Sequence, residues 1–208
     1  MAKKKVRKVK AARRKPARPT RKAAAKGRAK SRPRRAAPPQ MSEEAMMAAW
    51  QKAMTPGAEH QRLDSLVGTW RARTTFIMSP EAPPEVTEGT SENRWTLGGR
   101  HLEQRYHGTM MGMSFEGLGY TGYDKAQGKY VGTWMDTFST GMMTSIGVGK
   151  PTDSVINYEA EAVDPTGKPI RFWCEVRIQD RDHHIFDMWT KAPNGRRFRT
   201  MTIEYSRQ

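Results

Sequence analysis

The chain reads as a mainly β protein: an antiparallel β-barrel, closed or nearly closed, of about ten strands, preceded by one short helix and a disordered basic tail. Three observations predict this class. From Gly68 onward, apolar and polar residues alternate in short runs, as half-buried strands require. The runs are separated by hairpin chemistry at Gly98-Gly99, Asp124 to Gly128, Asp164 to Gly167, Gln179 to Asp182 and Pro193 to Gly195. No helical pattern lies among them, and so many strands left open would expose edges that closure into a barrel removes.

Residues 1–41 form the tail. The first forty carry 18 of the 37 Lys and Arg and no acidic residue, whereas the rest of the chain holds 19 basic and 21 acidic residues. The sequence pI near 10.3 therefore belongs to the tail and not to the domain. Pro16, Pro19, Pro33, Pro38 and Pro39 break any long helix, and like charge with little hydrophobicity predicts disorder. The clusters Lys3, Lys4, Lys5; Arg13, Arg14, Lys15; Arg21, Lys22; and Arg34, Arg35 are candidate contacts to the phosphates of DNA, RNA or polyphosphate. Such binding would be non-specific, because the tail has no aromatic residue to stack on a base. The composition resembles the Lys/Ala/Pro-rich tails of linker-histone-like proteins. An anionic membrane surface and a merely solubilising extension stay open as alternatives.

A helix over residues 42–56 joins tail to domain. Ser42 is placed as N-cap, Glu43 and Glu44 favour the positive end of the helix dipole, and Pro56-Gly57 stops the run. Met46, Met47, Trp50 and Met54 fall on one apolar stripe. Packing against its own domain is the plain reading of that stripe. A partner helix or a second copy in a homodimer is the alternative.

The barrel domain spans residues 57–208. Trp70, Ala72, Thr74, Phe76 and Met78 share one face of the first strand, opposite Arg71, Arg73 and Thr75. Further strands are predicted at residues 86–97, 100–108, 114–123, 130–136, 142–149, 155–162, 170–179, 183–190 and 197–207. The single cysteine, Cys174, lies in the apolar alternation Phe172, Cys174, Val176, Ile178 and reads as a buried, inert thiol. One cysteine excludes an internal disulfide, and no apolar run is long enough for a transmembrane helix or a secretory signal. These features predict a cytoplasmic protein, nucleoid-associated if the tail engages nucleic acid.

Gly68-Thr69-Trp70 at the first strand with Arg207 at the last resembles the calycin group, lipocalins and fatty-acid-binding proteins among them. That resemblance implies a Trp packed across the closed end of the barrel with the terminal Arg stacked on it. A wider set of motifs adds to it: Pro56-Gly57-Ala-Glu-His60, Leu66-Val-Gly-Thr-Trp70, Trp95-Thr-Leu-Gly-Gly-Arg100, Phe115-Glu-Gly-Leu-Gly-Tyr-Thr-Gly-Tyr-Asp124, Trp134-Met-Asp136, Ser139-Thr-Gly141 and Asp182-His-His184. Together they resemble an uncharacterised bacterial family, domain of unknown function 1579, from about Ser42 to Gln208. The resemblance implies a barrel and no activity. The family pattern has Asn after Gly-Tyr-Asp, a residue suited to a positive-φ turn position, where this chain has Lys125.

Candidate ligand-binding residues are Trp95, Arg100, Arg105, His107, Tyr123, Trp134 and Asp136. His101, Glu103, Arg105 and His107 alternate on one strand face, which is a solvated charge ladder if outward and a polar cavity wall if inward. Asp136 could pair with Arg94, Arg100 or Arg105. His183-His184 is placed in a turn, where adjacent side chains diverge and chelate poorly. A structural metal is not expected, and the cofactor is unknown. Haem ligated through His101 or His107 stays open. Catalytic fingerprints are missing: there is no nucleophile elbow, phosphate loop or dinucleotide motif. The first expectation is a barrel that binds an apolar or amphipathic small molecule and is tethered to polyanions. A solid, dimerising barrel and an enzyme of unknown reaction are the alternatives.

Overall fold

The computed structural model describes residues 41–208. The polycationic tail and its candidate phosphate-contacting Lys and Arg residues lie outside the described residues.

Ten antiparallel strands run as β1 (Gly68–Phe76), β2 (Glu85–Thr96), β3 (His101–Met110), β4 (Met113–Asp124), β5 (Lys129–Asp136), β6 (Met143–Val148), β7 (Val155–Val163), β8 (Pro169–Ile178), β9 (His183–Lys191) and β10 (Arg197–Arg207). Each pairs with its sequence neighbour, and β1 pairs with β10, so the meander closes on itself. Closure satisfies the edge groups that an open ten-stranded sheet would leave bare. Alternation decides the inner face: Trp70, Ala72 and Thr74 are buried, while Arg71 and Arg73 between them are exposed. One irregularity, between Arg199 and Met201, lets Thr200 exchange two hydrogen bonds with the backbone of Ile77, one of them through its hydroxyl.

The two ends of the barrel differ. At one end a short segment, α2 (Ala58–Gln61) followed by a 3-10 helix (Arg62–Leu66), forms a plug that the strand pattern does not anticipate. Leu63 is completely buried in a cluster with Leu66, Leu102, Tyr130, Ile156 and Tyr158. Trp70 Nε1 and Asn93 Nδ2 both donate to the Leu66 carbonyl, at 3.0 and 2.8 Å. The Arg207 guanidinium lies 4.1 Å from the Trp70 ring centroid and donates to the carbonyls of Val67 and Ser65. The Trp–Arg stack implied by the calycin resemblance is therefore present. At the other end, the loops after β1, β3, β5, β7 and β9 surround an opening.

Two details depart from expectation. Helix α1 (Glu43–Met54) is capped by Ser42 Oγ, which accepts from Ala45 N, but it buries none of its residues. Trp50 is 60% exposed and Met47 64%, so the helix does not pack its apolar stripe on its own domain. Among the described residues, its C-terminal end is tied down by Arg100 Nη2 on Met54 O and Lys125 Nζ on Thr55 O. Second, Lys125 does not occupy a positive-φ position. In that turn the left-handed conformation falls on Gly128 (φ 67°), the residue without a Cβ to clash, which leaves position 125 open to Lys.

Candidate functional site

The lumen holds a cavity of about 560 Å³, open at the end opposite the plug. Its size falls within the roughly 300–1,000 Å³ typical of small-molecule sites. The walls are apolar, supplied by inward residues such as Leu102, Phe115, Phe172, Phe186, Met188 and Ile203. Space survives in part because of β4. A methyl group at Gly117 or Gly119 would overlap the Trp134 indole of β5, so the two glycines let that ring lie against the wall.

The floor above the plug carries a short polar chain. Ser91 Oγ donates to Asn93 Oδ1 at 2.9 Å, and Gln104 Nε2 donates to Ser91 Oγ at 3.0 Å and to Tyr205 Oη at 3.3 Å. His184 stacks on Tyr205 with ring centroids 4.3 Å apart and meets Trp70 edge-on at 4.4 Å. Its Nδ1 is buried with no hydrogen-bond partner. Burial, assisted by the positive charge of Arg207, lowers its pKa to about 3, so the imidazole is neutral at physiological pH. The Cys174 thiol, also lining the cavity, is buried as expected, and burial pushes its pKa up to about 12.

At the mouth, Asp136 ends β5. Its Oδ2 accepts from Trp134 Nε1 and its Oδ1 from Phe138 N, both at 3.0 Å. Phe138, Ser139, Gly141, Met142, Val163, Asp164 and Met201 complete the rim.

Of the seven candidate ligand-binding residues, Trp134 and Asp136 line the cavity. The other five are not brought to it. Trp95 donates to Asp64 Oδ1 at 2.7 Å and packs against the plug. Tyr123 meets His60 and Tyr130 edge-on near the same end. Arg100 sits in the β2–β3 turn, where it donates to the carbonyls of Leu97, Gly98 and Met54. Arg105 and His107 face outward, because their strand turns Leu102, Gln104 and Tyr106 inward. His101 shares the outward face, so neither histidine open to haem ligation reaches the lumen.

That outer ladder is not simply solvated. Glu103 is 5% exposed, with Arg94 and Arg105 donating to Oε1 and Tyr120 Oη donating to Oε2. These hydrogen bonds, Arg105 foremost, lower its pKa to about 2. Arg94 and Arg105 thus pair with Glu103 and not with Asp136. A second buried carboxylate, Asp187, is held on the outer wall by Arg177, Arg199 and Thr202.

Sequence reasoning missed Gln104, Asn93 and His184. For His184 a signal existed: it precedes Phe186 and Met188 by two and four residues, which puts it on their inward face. Among the described residues, no group of three or more His, Cys, Asp or Glu could hold a metal ion. His184 also lacks the acceptor at Nδ1 that usually orients a metal-ligating imidazole.

Comparison with known proteins places this geometry. No curated protein matches the chain. Among solved structures, Rv2717c from M. tuberculosis is similar with a TM-score of 0.58 at 17% identity, covering 74% of this chain and 99% of that one, which shows a shared fold. An S-type phycobiliprotein lyase, CPES from Guillardia theta, matches with a TM-score of 0.48 at 9% identity over 74% of this chain and 98% of the other. The family model described as "Protein of unknown function (DUF1579)" matches residues 55–207, which takes in the plug, all ten strands and the whole cavity, and the chain belongs to that family.

Proposed function

We propose that the barrel is a binding module for an apolar or amphipathic small molecule held in its lumen. The observation that carries this reading is the cavity of about 560 Å³, apolar along its walls and open at one end only. A solidly packed barrel would have no such space. An enzyme would need converging groups, and His184 has no hydrogen-bonded nucleophile beside it. The test is titration with an uncharged solvatochromic dye such as Nile red. Saturable enhancement is expected with the parent protein. It should be lost in Ala162→Trp, which narrows the mouth without touching the buried core, while the thermal midpoint stays put. Dye binding unchanged by that variant would overturn the lumen as the site.

The basic tail supports a second element of the reading, a non-specific tether to nucleic acid or polyphosphate. Binding of duplex DNA by the full chain should fall steeply with salt, with a slope of about −0.9 per phosphate neutralised, and should vanish in a chain beginning at Met41. Equal binding by both chains would move the interaction onto the barrel. The exposed Met46–Met47–Trp50 face supports self-association through α1, which sedimentation of the parent and Trp50→Ala proteins would check.

A further inference from the structure

The charges around the lumen are distributed unevenly, and this bears on what can enter it. Among the described residues lining the cavity no Lys or Arg occurs, and the charged side chains are Asp136 and Asp164. Both lie at the mouth, where Asp136 ends β5 and Asp164 follows β7. The floor has no charged side chain of its own. Arg207 and Arg62 lie beneath it, in or against the plug. Arg207 is engaged by the carbonyls of Val67, Ser65 and Arg181 and by Asp182, on the far side of the Trp70 ring. Arg62 donates to the Lys150 carbonyl and lies over the Tyr130 ring. Neither lines the cavity, so neither is placed to contact a ligand there.

What the floor does offer is uncharged hydrogen-bonding capacity. The Gln104 amide nitrogen is committed to Ser91 and Tyr205, leaving its carbonyl oxygen as an acceptor. The His184 imidazole also lines the cavity, uncharged, with its Nδ1 buried out of a ligand's reach. Burying a carboxylate here would desolvate it without a cation in contact, a cost that a hydroxyl or amide avoids. At the mouth, by contrast, an ammonium group would meet the Asp136 carboxylate while staying in reach of water.

Resting on the reading of the barrel as a small-molecule binder, we propose that the lumen selects amphiphiles that are uncharged or cationic and rejects carboxylates. A neutral polar end is directed to the Gln104–His184 floor, and any positive charge is left at Asp136.

The test is competition against Nile red on the full-length protein with three ten-carbon probes, decan-1-ol, decylamine and decanoate. It is run near pH 8, above the ordinary carboxyl pKa and below that of an amine. Decanol and decylamine should displace the dye at similar concentrations, with decanoate weaker by about tenfold or more. Asp136→Asn should weaken decylamine about threefold and leave decanol unchanged, whereas Gln104→Leu should weaken decanol and spare decylamine. Decanoate competing as well as decanol would overturn the selectivity, as would a decylamine affinity unmoved by Asp136→Asn. Absence of dye binding altogether would instead overturn the binding-module reading and the selectivity with it.

Discussion

The base and the mouth of this barrel are made from opposite ends of the same ten strands, yet they are finished differently. At the base Leu63 and Trp70 are fully buried, and side chains from the strands take up the plug carbonyls of Ser65 and Leu66 and that of Val67 just after it. At the mouth Phe138 and Met142 remain exposed beside a carboxylate. Strand pairing closes the wall of a barrel but neither end. Here a dedicated segment, Ala58–Leu66, seals one end, and the other is left as an entrance.

Variants at the two ends should therefore separate stability from binding. The largest loss is expected from Trp70→Ala, which removes the indole, its bond to Leu66 and the Arg207 stack together. A destabilisation of about 3–5 kcal/mol by urea unfolding is anticipated, and a value near zero would mean the base collapses around the gap.

Acid should expose the base next. His184 is held at about 3 against an ordinary 6.5, so between those values the unfolded chain takes up a proton that the folded chain refuses. Stability then falls as pH is lowered from 6.5 toward 3. Glu103, at about 2 against 4.5, contributes stability above pH 4.5 that is lost as pH falls toward 2. His184→Gln should flatten the upper part of the urea-midpoint profile and leave the lower part in place. A parent profile already flat between pH 6.5 and 4.5 would contradict the buried, neutral imidazole.

Arg207→Lys keeps the charge but loses the planar fork that serves both the Trp70 face and the plug carbonyls. About 1–2 kcal/mol is expected, and retention of full stability would show that charge alone suffices there. The smallest change in stability should come from the mouth: Met142→Ser is expected to alter unfolding by no more than about 0.5 kcal/mol while lowering Nile red affinity. Equal losses of stability at the two ends would erase the distinction between them.

Legibility followed the same division. Strand positions, hairpin turns and the Trp70–Arg207 pair were open to reading because each depends on neighbours in sequence or on a motif. The plug was not, since Arg62–Leu66 is too short for a helical period to register and is stabilised by donors more than twenty residues away, such as Asn93 and Arg207. The inward face of β3 was equally hidden. Gln104 and Tyr106 alternate with Glu103 and Arg105, so polarity by itself does not say which set lies inside.

What the sequence determined by itself is the class: ten alternating runs, turns rich in Gly and Asp, a charge-rich tail on a near-neutral domain, and closure to remove edges. Only the tertiary structure decided which polar residues meet the lumen and how much of it side chains fill. The physical reason is that a strand's period of two specifies two faces without naming either as inner. The remaining space, in turn, depends on how inward side chains share it, as Trp134 does by lying against Gly117 and Gly119 of the neighbouring strand.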